Sequence, residues 1–374
     1  MKIGINAYEA NVVNRVGSNQ YAYQVLVQLE RLLTNDQVTV FLPSKPVAGM
    51  PKQRKGWKYR VIGPAKFWSL WRLPIDLYLG RLLGRNFAVF LSLGHYAPRF
   101  SPFKSVVCIM DLAYLSFPTF FKRSDVWKLT NWTAYSVKAA KKIIAISKYT
   151  KKDIEVQYKR KSEDIEVAYP GFEETSLIGS DVSILKKLDV RPPYFVYVGT
   201  MQPRKNLVRL VKAFEMLRKS SVFKPYQLVL AGKVGWMSDE LVKTVQHSPA
   251  RKSIRMLGFV TEEQKLALYA NAKASILVGL YEGFGIPALE SISAGTLPVV
   301  SSTASLPEVV GDCGVLVDPY SVEDIARGMA IAVQYTLRDK EKFRKLAAEQ
   351  LSKFSWEKTG EKIVRVLYEV GGKR

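Results

Sequence analysis

Two carboxylates eight positions apart, Glu282 and Glu290, bracket a glycine-rich turn in the stretch Y-E-G-F-G-I-P-A-L-E at 281–290. The apolar run Ala274–Leu280 before it reads as a strand, and Pro287 suits the first turn of a helix continuing through Ala288, Leu289 and Glu290. One carboxylate then sits on the loop after a strand, and the other about one turn inside a helix. Between them Gly283 and Gly285 turn backbone N–H groups outward at a helix N-terminus, which suits an anionic or polyhydroxylated ligand. A second candidate is Y-V-G-T-M-Q-P-R-K-N at 197–206, where Gly199 and Thr200 make a turn and Arg204 and Lys205 precede a helix. Adjacent cations beside a helix N-terminus form a receptor for a diphosphate, Arg binding oxygens bidentately and Lys adding a point charge. A third is the loop Arg15–Gln20, where Gly17 permits close approach of a ligand's phosphate or sugar.

The turn Gly283–Ala288 also fits the relaxed dinucleotide pattern G-x-G-x-x-A, with Glu308 lying 23 residues beyond Gly285. That pattern is weak by itself and belongs to the first strand of a domain, whereas here it follows the fourth strand of a second series. A dehydrogenase is therefore disfavoured. The opening segment contains neither G-x-G-x-x-G nor a Walker sequence.

The elements that must position these residues alternate along the whole chain. Strands are expected at Lys2–Asn6, Val38–Leu42, Ala88–Leu91, Ser105–Ile109 and Ile143–Ala145. A second series follows at Tyr194–Val198, Gln227–Ala231, Ile254–Leu257, Ala274–Val278 and Leu297–Ser301. Helical patterns lie between them at Gln20–Leu33, Leu207–Arg218, Glu262–Ala270 and Val322–Val333. Such alternation means α/β architecture with two doubly wound parallel sheets, and ligands at the carboxyl ends of the strands. With 374 residues two domains are expected. The boundary is placed near Tyr169–Phe172, followed by a polar connection, with Arg191-Pro192-Pro193 marking the second domain.

Charge is unusual, at +23 overall. Residues 1–170 carry 27 basic and 11 acidic residues, a net of +16, against +7 for the remainder. The densest part, Lys45–Lys104, holds 12 basic residues and the single acid Asp76, interleaved with Trp57, Tyr59, Phe67, Trp68, Trp71 and Tyr78. Such a surface attracts polyanions, and the aromatics among the charges favour an anionic membrane interface. Nucleic acid is not expected as a partner, because charge is the only feature that suggests it. The N-terminus reads as a strand and not as a signal peptide, and no run of about 18 apolar residues offers a membrane span. Cys108 and Cys313 are too far apart and too few for a metal site or disulfide framework, so a reducing, cytoplasmic setting is expected.

Taken together the motifs resemble a GT-B nucleotide-sugar glycosyltransferase of the large retaining family four, the glycosyl transferases group 1. The stretches that carry the resemblance are 197–206, L-A-G-K at 230–233, L-G-F-V at 257–260, E-G-F-G-I-P-A-L-E at 282–290 and S-S-T-A-S-L-P-E-V-V-G-D-C-G-V-L-V-D-P at 301–319. The first half matches more loosely, through I-G-I-N at 3–6, the Gly17 loop, M-D-L at 110–112 and A-I-S-K at 145–148. The resemblance implies two Rossmann-like domains facing a central cleft: an acceptor-binding domain at 1–171, a nucleotide-sugar domain at 172–355, and a C-terminal helix at 356–374 packing back on the first. It implies that Glu282 hydrogen-bonds the donor sugar near its reacting face, that Glu290 holds the ribose hydroxyls, and that Arg204 and Lys205 neutralise the departing diphosphate. A glycosyl transition state separates charge in the sense those cations require. Donor contacts are further expected from Gly17, Gly199, Thr200, Phe284, Gly285, Ile286 and Leu289, and, for the base, from the turns at Gly232 and Val260.

No Asp-x-Asp occurs; Asp153-Ile154-Glu155 and Asp164-Ile165-Glu166 come nearest, both expected in helix or linker. No metal or other cofactor is therefore required, since Arg204 and Lys205 can neutralise the phosphates. One departure stands out: similar enzymes carry His where this chain has Met110, and Met neither donates a strong hydrogen bond nor acts as a base. His95, after the Ala88–Leu91 strand, and Asp111 are the candidate contacts to acceptor or donor sugar beside Met110. The expected reaction is hexosyl transfer from a nucleoside-diphosphate sugar, GDP-mannose being favoured by the G-T-x-x-P-R-K-N loop, to a glycan or lipid-linked acceptor. The protein is placed in the cytoplasm, peripheral at the inner face of the plasma membrane. The alternative raised by Met110 is a non-catalytic protein of the same fold that binds sugar nucleotides or lipid.

Overall fold

The computed structural model describes residues 1–15, 17–172 and 182–373, and the chain divides into two compact units. Unit 1 comprises Met1–Gly171 with Phe354–Arg374, and unit 2 comprises Phe172–Lys353. The polar connection expected after Phe172 falls largely on 173–181, outside the described residues.

Unit 1 is built on a parallel sheet of strands β1 (Lys2–Asn6), β2 (Gln37–Leu42), β3 (Trp57–Val61), β4 (Val89–Ser92), β5 (Ser105–Ile109), β6 (Lys142–Ala145) and β7 (Ile165–Val167), in the order 3-2-1-4-5-6-7. The central strands are short apolar runs because both their faces are covered: Ile3, Ile5, Val89, Leu91, Val106 and Val107 are fully buried. Ile3 pairs with Val38 on one side and Val89 on the other, so strand order reverses between β1 and β4. The loops after those strands open a crevice at their carboxyl ends. The helix Ser18–Leu32 covers one face through Tyr21, Val25, Leu26 and Leu29. The helix Trp356–Gly371 lies against it, with the Trp356 and Tyr21 rings 5.9 Å apart and Gly360 fitting over Gln28. Tyr368 donates to Asp36 Oδ2 at 2.6 Å, and Met1's ammonium meets Asp36 Oδ1 at 2.5 Å.

Unit 2 repeats the plan with β8 (Tyr194–Val198), β9 (Gln227–Ala231), β10 (Ile254–Gly258), β11 (Ala274–Leu277), β12 (Pro298–Ser301) and β13 (Val315–Val317), again parallel, in the order 10-9-8-11-12-13. Its reversal lies between β8 and β11, which makes the 199–206 and 278–285 loops neighbours. Cys108 and Cys313 are buried and free, one in each unit. No helix among the described residues is long and apolar enough to cross a membrane.

Three strands were not expected from sequence, and all lie at or near sheet edges, where pairing on one side relaxes the apolar pattern. In β3 Trp57 is buried while Lys58 is exposed, so its charges conceal a strand inside the basic stretch. Asp164-Ile165-Glu166, expected in helix or linker, instead spans a 3₁₀ turn at Ser162–Asp164 and enters β7. There Glu166 faces Arg365 at 2.9 Å, which explains an acid within an edge strand. Asp153-Ile154-Glu155 lies in the helix Lys148–Tyr158.

Candidate active site

Arg204 and Lys205 sit in the 3₁₀ turn Pro203–Lys205, immediately before the helix Leu207–Leu217. Lys205 Nζ lies 2.5 Å from Glu282 Oε1, and Arg204 Nη1 lies 3.3 Å from Glu282 Oε2. Arg204 also donates to the Tyr281 carbonyl, and the Leu280 N–H donates back to Arg204 O at 2.9 Å. The cations and the first carboxylate, separate stations in the sequence reading, thus form one cluster. Burial pushes the Glu282 carboxyl upward, but Lys205 and Arg204 more than reverse this and hold it below its ordinary value of 4.5. The carboxylate is therefore ionised at neutral pH despite being only 9% exposed.

The turn that follows is shaped by Gly285, whose φ of 115° lies in the region that favours glycine. A Cβ there would meet Leu306 Cδ2 at 2.6 Å. Ser305 Oγ, 2.8 Å from Glu282 O and 2.7 Å from Phe284 O, shares its hydroxyl between the two carbonyls and pins the turn. The helix Ile286–Ser293 begins with Pro287 in its first turn and has no side-chain cap. Ile286 is at its first position, and Leu289 is fully buried in its base. Glu290 lies one turn in and is held not by Arg204 or Lys205 but by Lys265, at 2.6 Å. Burial raises the Glu290 carboxyl above its ordinary value, and Lys265 draws it back only in part.

Gly199, Thr200 and Gly232 come together where β8 and β9 end. A side chain at Gly232, with φ 132°, would meet the Gly199 carbonyl oxygen at 2.0 Å, and Tyr197's hydroxyl donates to Thr200 O at 3.1 Å. Lys233 Nζ stands 5.4 Å over the exposed Phe259 ring, joining the loops after β9 and β10, while Val260 packs inward with Val198 and Leu268.

The other candidates belong to unit 1. Gly17 starts the helix Ser18–Leu32 with φ 54°, and a side chain there would meet open space. Met110 follows β5 and is buried, its carbonyl accepting from Thr150 Oγ1 at 3.3 Å. Asp111 Oδ1 accepts from the Ala113 N–H at 3.0 Å, fixing the short helix Ala113–Ser116. His95 follows β4. Burial lowers its imidazole below the ordinary value against the opposing pull of Asp111. Its Nδ1 is buried without a hydrogen-bond partner among the described residues.

Residues 185–350 match the family described as Glycosyl transferases group 1. O-antigen chain mannosyltransferase B of Escherichia coli is 31% identical over 259 residues, covering 68% of this chain and 67% of that protein. The chain is a group 1 glycosyltransferase. A serotype-specific mannosyltransferase WbdA of Escherichia coli is 32% identical over 182 residues, 47% of this chain but 22% of that longer protein. Among solved structures, sucrose-phosphate synthase from Thermosynechococcus elongatus superposes with a TM-score of 0.72 at 16% identity, covering 100% of both chains. Anabaena HepE in complex with UDP-glucose gives 0.72 at 16% identity, covering 99% of this chain and 100% of that one. These neighbours show the GT-B fold. As a member of this family the protein is a hexosyltransferase, which sets aside the non-catalytic alternative.

Two positions in the glycosyltransferase escaped sequence reasoning. Asn206, itself left-handed at φ 62°, donates to Val278 O at 2.9 Å and Pro319 O at 2.7 Å and so clasps the Arg204–Lys205 turn to the end of β11. An Asn directly before a helix was the available signal. Lys265 sits on the helix Glu262–Ala270, where it also meets Glu262 at 2.7 Å. Its local spacing pointed to a surface i,i+3 pair, and nothing in sequence linked it to Glu290 across two elements.

Proposed function

We propose that this glycosyltransferase transfers a mannosyl group from GDP-mannose to a glycan or lipid-linked acceptor with retention at the anomeric carbon. The observation that carries the reading is the buried Arg204–Lys205–Glu282 cluster at the strand reversal of unit 2. The names of the relatives, both mannosyltransferases, support the choice of sugar. Unit 2 holds the nucleotide sugar and unit 1 receives the acceptor. Glu290 accepts from the ribose hydroxyls, and the backbone turn Phe284–Ile286 contacts the sugar. Gly199, Thr200 and Gly232 line the diphosphate, and Phe259 with Val260 borders the base.

In the reaction the bond from the anomeric carbon to the diphosphate oxygen breaks while the acceptor oxygen bonds to the same face. The acceptor proton passes to the departing phosphate oxygen. Arg204 and Lys205 stabilise the negative charge that grows there, and Glu282 holds both cations in position while facing the developing positive charge on the sugar. With these fixed cations no metal is required. Met110 cannot serve as a base, and His95, kept neutral by burial, is the imidazole available beside Asp111 in unit 1. The high positive charge of residues 1–170 supports residence at the inner, anionic face of the plasma membrane.

The test is a donor screen, first by thermal shift and then by product formation, comparing GDP-mannose with UDP-glucose and other nucleotide sugars in excess chelator. Turnover of GDP-mannose under chelation is expected. Activity restored only by magnesium or manganese would defeat the metal-free reading, and turnover confined to a uridine donor would defeat the choice of GDP-mannose.

A further inference from the structure

Unit 1 contains a cavity of about 1030 Å³, at the upper end of ligand-sized pockets. It opens at the β1–β4 strand reversal and runs beneath the segment 65–79. Trp68, Trp71, Tyr78, Tyr96, Trp127 and Trp132 give it aromatic walls. The helix Leu73–Leu82 turns an apolar stripe outward: its inner face buries Leu73, Leu77 and Gly80, while Ile75, Tyr78, Leu79 and Leu82 are exposed. Trp71 and Leu82 are 68% and 82% exposed, far more than a packed surface helix needs. The inner face also carries a buried acid, Asp76, which binds Arg60 Nε at 2.7 Å and Arg85 at 3.4 Å. Trp68, whose indole donates to Ile62 O at 2.8 Å, anchors the π-helical turn Trp68–Arg72 that leads into the stripe.

Cations outnumber acids around this opening. Lys66, Arg99 and Lys128 line it, and Arg72 and Arg81 flank the stripe. Arg99 Nε is buried with no hydrogen-bond partner among the described residues, and its guanidinium lies over the Tyr135 ring at 5.6 Å. Glu9 is the one acid on the wall, and it is engaged by Asn19 at 2.8 Å. The lining is largely hydrocarbon and indole with a cationic rim, and its uncharged or acidic polar side chains are few, Asn6, Glu9 and Ser69 among them.

We propose that this cavity binds the hydrocarbon chain of a phosphate-bearing lipid carrier, with Arg99, Lys66 and Lys128 on the phosphate and Trp71, Ile75, Tyr78 and Leu79 on the chain. The proposal rests on the reading of unit 1 as the acceptor side and deepens it. The acceptor is an amphiphile presented at a bilayer, not a free sugar chain. Leu82 and Leu83, exposed outside the cavity lining, then face the apolar boundary of that bilayer, while the cations face its anionic heads.

The lining tryptophans supply the readout. Dodecyl phosphate, dodecyl maltoside and inorganic phosphate are titrated against the full chain by tryptophan fluorescence. Saturable binding of dodecyl phosphate is expected, weaker binding of the maltoside, and none of phosphate alone. The double variant Trp71→Ser/Leu79→Gln, at exposed positions that fold does not need, should weaken dodecyl phosphate by about tenfold or more. Arg99→Gln should remove the preference for phosphate over maltoside heads. GDP binding, followed by calorimetry in every variant, reports on the donor site separately. Equal affinity for the three probes, or unchanged affinity in the double variant, would overturn the proposal while leaving the transferase reading intact. Loss of GDP binding by the wild-type protein would instead count against the donor site.

Discussion

The stabilising role of Glu282 can be read from its dependence on pH. Its carboxyl is held below the ordinary value because Lys205 and Arg204 outweigh the cost of burying it. A depressed native value means that the unfolded chain binds the proton more readily over that range. The stabilisation is therefore fully present above 4.5 and is lost as pH falls below it through the native value. Glu282→Gln should be less stable than wild type at pH 7, and the difference should shrink on acidification, as read by melting temperature against pH. A difference that stays constant with pH would show that the ion cluster is not the source. Glu290 behaves in the opposite sense, raised by burial and only partly restored by Lys265. Removing that cation by Lys265→Met should raise the carboxyl further, so that GDP affinity falls and falls more at pH 6 than at pH 8. An equal loss at both values, measured by calorimetry, would assign Lys265 a packing role. Lys265→Arg should recover most of the affinity.

At the scale of elements, the proposed donor site depends on two loops that β8 and β11 bring side by side. Gly285 lets the second loop turn under Ser305 and Leu306. Gly285→Ala forces a Cβ toward Leu306 at a φ that L residues avoid, with an expected cost of about 1–3 kcal/mol. Chemical denaturation should show that loss together with a drop in transfer, and unchanged stability would mean the turn relaxes freely. Much of this arrangement was legible in the sequence. The strands that carry β8 and β11 are short, fully buried apolar runs, and the turn residues between strand and helix are distinctive. What was not legible depended on contacts between elements. Lys205 and Glu282 are 77 positions apart, and only the parallel pairing of β8 with β11 places them together. Lys265 was hidden for the same reason. The edge strands β3 and β7 were missed because a strand paired on one side tolerates Lys58 or Glu166 without cost.

At the scale of the whole molecule, the chain joins two units of the same plan with different surfaces. Residues 1–170 carry most of the net charge and include the aromatic cavity, whereas unit 2 carries the ionised cluster. That division supports the proposal that the acceptor is presented at a charged surface. The central claim is that Arg204 and Lys205 stabilise the leaving diphosphate during retaining mannosyl transfer. The most direct measurement is the product formed from GDP-mannose in chelator, with its anomeric configuration read by NMR, for wild type beside Arg204→Met and Lys205→Met. The account predicts an α-mannosyl product from wild type and a fall in kcat on the order of 10²–10³-fold in each variant. A β-configured product, or variants that turn over at the wild-type rate, would contradict it.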